Sequence, residues 1–154
     1  MASRRGRGEG EHVNAPVEIE HLLAADGSIV RRLRDALPGL LGVYAFGSRV
    51  EGTASVHSDL DLAVLVAGYV DPLQLWDVSA ELADLAQCDV DLLDLRAANT
   101  VVQFEVLTRG RRLWAIDPEA GLFECFAISE KQRWDERIAG HLDDIRREGR
   151  VYGG

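Results

Sequence analysis

No run in these 154 residues approaches 18 consecutive apolar positions, the length a membrane-crossing helix needs. Basic residues near the N-terminus are not followed by an apolar segment, so no export signal is read there. Cysteine is scarce. Cys88 and Cys125 show no CxxC spacing and no neighbouring histidine cluster, and are read as reduced, mostly buried small apolar residues. Positive charge is short too: the net charge of −9 argues against a nucleic-acid-coating surface and against a template-using polymerase. These absences predict a soluble cytoplasmic protein with no membrane partner. What remains, 47% apolar and 28% charged residues, is the ordinary balance of a globular domain with one core.

Against that background one pattern stands out. An apolar run, Leu41 to Phe46, ends in Gly47-Ser48. Ten residues further on, Ser58-Asp59-Leu60-Asp61-Leu62 opens a second apolar run through Val66. Side chains alternate along a strand, so Asp59, Asp61, Ala63 and Leu65 share one face while Leu60, Leu62, Val64 and Val66 form an apolar opposite face. The two aspartates, about 6.6 Å apart at their Cα atoms, are costly together unless a cation neutralises them. The arrangement therefore asks for a divalent metal. A solvated edge of an antiparallel sheet is the plain alternative for an isolated pair of this kind.

A third acid sharpens the pattern. The strand-like run Cys88 to Leu95 sets Asp91 between Val90 and Leu92, so burying those two turns Asp91 to the other face. Beside the first acidic strand it completes a carboxylate trio able to hold two Mg²⁺ about 3.5–4 Å apart. Asp89 shares the parity of Asp91 and competes for the role; Asp94 does not. Gly47 lets backbone N–H groups approach a phosphate, Ser48 adds a hydroxyl, and a helix starting there would aim its positive end at the anion. Ser58 caps or orients the acidic strand.

The remaining sequence falls into short elements. Residues 1–14 read as a disordered tail and 15–150 as one domain. Pro16 opens a helix, Ser28 caps a second, and Pro38-Gly39 stops it. Leu73 to Ala86 is expected to be helical with Leu75, Trp76, Leu82 and Leu85 inward. A helix from about Asn99 to Thr108 and a short edge strand from Arg112 to Ile116 follow. Residues 118–148 then form a long helix with Leu122, Phe126, Trp134, Ile138, Leu142 and Ile145 as one apolar stripe; the helix, with Phe123, Phe126 and Trp134, is read as core before docking surface. Arg109-Gly110-Arg111-Arg112 is either a solvated turn or an attractor for anions. This order predicts an α+β fold: a mixed four-stranded sheet with helices on one face and the acids on the free face.

Gly47-Ser48, the interval to Asp59 and Asp61, and the later Val90-Asp91-Leu92 resemble the DNA polymerase beta-like nucleotidyltransferase superfamily, above all the minimal nucleotidyltransferases (MNT) paired with HEPN-domain toxins. Phe104 to Leu107, Gly110-Arg111 and Asp117-Pro118-Glu119 follow in that subfamily's order, and the likeness spans roughly residues 17 to 145. It implies the palm-like nucleotidyltransferase fold. It also implies Asp59, Asp61 and Asp91 as catalytic, metal-binding acids, Gly47, Ser48, Arg49 and Ser58 as nucleotide-binding residues, and ATP with Mg²⁺ as cofactors. The implied activity is AMP transfer to a tyrosine hydroxyl of a cognate HEPN ribonuclease, with a possible hetero-oligomer of the two. Glu51 departs from the family, standing where its loop carries arginine. Two alternatives stay open: modification of a small molecule such as an aminoglycoside, for which the chain shows no second domain, and an antitoxin that acts by binding alone.

Overall fold

The computed structural model describes residues 15–52 and 58–153; the tail expected over residues 1–14 lies outside them. In chain order the elements are α1 (Ala15–Leu22), α2 (Ser28–Ala36), β1 (Leu40–Phe46), the one-turn α3 (Ser48–Glu51), β2 (Leu60–Val66), α4 (Pro72–Ala86), β3 (Val90–Asp94), α5 (Thr100–Arg109), β4 (Arg111–Ala115) and α6 (Glu119–Gly153). The strands form one sheet in the order β3-β2-β1-β4. β1 runs antiparallel to both β2 and β4, while β2 and β3 are parallel.

The sequence dictates this order. β1, and β2 beyond Asp61, are apolar on both faces and take the centre; β3 and β4 are shorter, more polar strands and take the edges. The parallel β2–β3 pair requires a crossover, which α4 supplies. That helix starts sharply because Asp71 accepts a hydrogen bond from the Gln74 amide at 3.3 Å and Pro72 has no N–H to satisfy.

Leu62, Val64 and Val43 on one face pack against Ile29, Val30 and Leu33 of α2 and Val78 and Leu82 of α4, with α1 alongside. The expected mixed four-stranded sheet and its helical layer are both present. The opposite face, expected to stay free, carries a second partial layer: Tyr44, Ala63 and Leu65 lie under Val106 of α5 and Ala120 of α6. Among the described residues, the end bearing Asp59, Asp61 and Asp91 is less covered: Asp59 and Asp91 are exposed and Asp61 is half-buried.

Several local expectations change. Gly27, not Ser28, holds the cap position of α2, and Ser28 is its first helical residue. In α4 the row Val78, Leu82, Ala86 faces the sheet, leaving Trp76 76% exposed and Leu85 also outside. Helical spacing permitted either row, and the shape of the sheet chose. Cys88 is half-buried but Cys125 is exposed. The stripe expected along α6 is not core: all six of its residues are exposed.

Asp94 has a structural role. Its buried carboxylate accepts from the Val70 amide at 2.8 Å and the Arg96 amide at 3.1 Å, fastening the β2–α4 connector to the end of β3. Asp94→Ala leaves the Val70 N–H without that acceptor and is expected to cost about 1–3 kcal/mol, read from urea unfolding. A loss below about 0.5 kcal/mol would show that the clasp does not matter.

Candidate active site

β1 ends at Phe46, which lies opposite Asp61 in the antiparallel ladder. The chain then turns at Gly47, with φ 82° and ψ −163°, a region essentially restricted to glycine. A Cβ there would sit 2.2 Å from Asp61 Oδ2. The carboxylate of Asp61 therefore lies directly against the loop backbone, closer than any side chain would allow. α3 follows for one turn, with Val50 N and Glu51 N donating to the Gly47 carbonyl. So short a helix offers its leading N–H groups and Ser48 rather than a long dipole. Glu51 is exposed at its end.

Asp61 is half-buried on β2, and Asp59 is exposed immediately before the strand. In the parallel ladder Asp91 stands directly beside Asp61. Asp89 precedes β3, where its carbonyl accepts from the Leu60 amide. Burial first, then the charges of Asp91 and Asp59, holds the Asp61 carboxyl above its usual range. Among the described residues no three Asp, Glu, His or Cys side chains converge closely enough to hold a metal ion as they stand. The donor set itself, three hard carboxylates on one open sheet end, suits Mg²⁺.

Two placements were not legible in the sequence. Arg49 gives two donors to the carbonyl of Ser58, from Nε at 3.2 Å and Nη2 at 2.8 Å. It thereby ties α3 to the residue just before Asp59. The arginine run is committed to carboxylates: Arg109 to Glu105, Arg111 to Glu20, and Arg112 to Asp117 and Glu124. Glu124 also accepts from the Tyr44 hydroxyl at 2.6 Å, and burial with that carboxylate pushes the phenol strongly up. Arg112 and Tyr44, through Glu124, anchor α6 to the sheet, whereas Arg109 pairs within α5 and Arg111 with α1. Partners 80 residues apart in sequence leave no local pattern to find.

A model of the family "Polymerase beta, Nucleotidyltransferase" matches residues 28–119, from the start of α2 to the first residue of α6. The chain belongs to the polymerase beta nucleotidyltransferase family. This nucleotidyltransferase is 38% identical over 120 residues to the protein adenylyltransferase MntA of Shewanella oneidensis, covering 78% of this chain and 86% of MntA. A crystal structure of a toxin–antitoxin with AMP-PNP matches with a TM-score of 0.69 at 38% identity, over 76% of this chain and 94% of that one. The tri-AMPylated HEPN toxin of Shewanella oneidensis in complex with MNT antitoxin matches at 0.63 and 36% identity, over 76% and 92%. Among the described residues no helix is long and apolar enough to cross a membrane.

Proposed function

We propose that this nucleotidyltransferase is a cytoplasmic antitoxin that transfers AMP from ATP to a tyrosine hydroxyl of a cognate HEPN-domain ribonuclease, silencing it. The observation that carries the reading is Asp61, in register with Asp91, lying against the Gly47 backbone at the sheet end where Asp59 and Asp91 are exposed. The activity resides in one domain over residues 15–150. Similarity to MntA and to an AMP-PNP-bound toxin–antitoxin supports ATP as donor and a protein as acceptor.

Gly47 and Ser48 receive the triphosphate on backbone N–H groups and a hydroxyl, with Ser58 and Arg49 keeping the approach to Asp59 in place. Asp59, Asp61 and Asp91 would hold Mg²⁺, which supplies positive charge against the triphosphate and the oxygens at phosphorus. The acceptor oxygen bonds to the α-phosphorus, the bond to pyrophosphate breaks, and Asp91 takes the hydroxyl proton. Three carboxylates facing a polyanion cannot bind it alone, so transfer should stop on chelation of the metal.

Intact-mass spectrometry of the HEPN partner after incubation with this protein, ATP and Mg²⁺ tests the proposal. The partner should gain whole AMP residues, and none when EDTA is present. An unmodified toxin beside pyrophosphate released only with an aminoglycoside would replace the reading with small-molecule transfer. A binding-only antitoxin draws its support from Glu51, exposed where the family's loop has arginine.

A further inference from the structure

α6 holds 35 residues, roughly 52 Å of helix, and the protein uses less than half of it. Up to Lys131 it rests on α5 and the sheet: Ala120 and Ala127 are fully buried, Phe123 lies under Arg96, and Lys131 sits over the Phe104 ring at 4.8 Å. From residue 132 to 148 every residue except Asp143 is exposed. Seven-residue steps stay on one side of a helix. The row Ala120, Ala127 therefore continues as Trp134, and the row of Lys131 continues as Ile138 and Ile145, with Leu142 beside them. The face that is core in the first half of α6 thus runs on, larger and more apolar, and among the described residues it stays exposed. Leu122 and Phe126 lie on another side.

The direction of the helix gives that face its meaning. α5 and α6 start together, at the sheet end far from the acids, where Arg96 bonds the Val66 carbonyl. They run side by side, since Phe123 meets Arg96 and Lys131 meets Phe104. α5 stops at Arg109, where Gly110 abuts Ala45 and Phe46, next to Asp61. The same five-residue advance along α6 reaches Glu136. Beyond it the helix runs on past the sheet end that carries Asp59, Asp61 and Asp91, its apolar row continuing the face that packs on α5 and the sheet.

We infer that this overhanging half of α6, with Trp134, Ile138, Leu142 and Ile145 as its contact row, is where the protein that accepts AMP docks. The inference rests on the transfer reading above. An acceptor hydroxyl must enter at that open end, and whatever brings it there meets the helix. Four arginines and five carboxylates are mixed over residues 132–148, which suits a protein and not a polyanion or an anionic membrane. A solvated stretch of this length containing Gly140 is marginal in water by itself. Covering its apolar row would stabilise it.

Ile138→Glu combined with Leu142→Glu tests this in the full chain against the HEPN partner. Both positions are exposed, so the thermal transition and ATP binding of the variant should match the parent. Toxin binding by calorimetry should weaken at least about ten-fold, and the KM for toxin in AMP transfer should rise likewise while kcat at saturating toxin holds. Unchanged toxin affinity and KM would overturn the inference. So would a variant that loses self-association in sedimentation yet still binds toxin, for then a second copy covers the row. If the parent binds toxin without ever modifying it, the transfer reading fails, and the affinity of the variant still decides the docking surface.

Discussion

Asp59→Ala combined with Asp61→Ala is expected to lower AMP transfer by at least about 10³-fold, through kcat, while the protein stays folded and still binds its partner. Both side chains project from the open end of the sheet and neither fills the core, so removing them costs charge and not packing. A double variant that protects cells from the toxin as well as the parent would make catalysis dispensable and establish the binding-only reading. Asp61 adds a signature in stability. Its folded carboxyl titrates above the unfolded one, so the protein is destabilised as pH rises through the carboxylate range and is relieved of that cost below it. Asp61→Asn cannot ionise. It should melt above the metal-free parent at neutral pH, with the gap closing on acidification. Mg²⁺ should raise the parent's Tm but not the variant's. A parent that melts higher than Asp61→Asn at neutral pH without metal would contradict the crowding of charge around Asp61.

The second large effect is expected from a single methyl group. Gly47→Ala places a Cβ 2.2 Å from Asp61 Oδ2 on a backbone at φ 82° and ψ −163°. The strain is about 1–3 kcal/mol, and relieving it must move the loop or the carboxylate. Transfer should fall about 10²-fold or more, since misplacement by about 1 Å is enough for that. The Tm should drop by several degrees. Gly52→Ala is the control: its φ is 83°, but none of the described residues lies within 4 Å of the added atom. It should lose stability through the backbone alone and keep most of its activity. If Gly47→Ala retains parental activity and Tm, the loop yields freely and the contact with Asp61 does not position it.

What could be read in advance followed from local periodicity. The two-residue alternation from Asp59 to Val66 separated the acids from the apolar face, because a strand has only two sides and one had to be buried. Pro and Gly marked most element ends for equally local reasons, although Gly27 took the cap expected of Ser28. Periodicity was weaker for helices. α4 could have buried either of two overlapping rows, and Trp76 lost to Val78 and Ala86 only because of the surface it met. In α6 an apolar row looks the same in sequence whether its cover is the chain's own sheet or another molecule. The residues expected inside accordingly turned out to be exposed.

The sequence by itself determined the strands, the acid-bearing face, the Gly47 turn and the family, because each is written in neighbouring residues and in short fixed intervals. The tertiary structure alone decided that Asp91 and not Asp89 stands beside Asp61 and that Arg49 holds Ser58. It likewise paired Arg111 with Glu20 and Tyr44 with Glu124, and carried α6 past the sheet. Those outcomes depend on strand register and on which surfaces meet, and contacts between residues tens of positions apart leave no periodic trace along the chain.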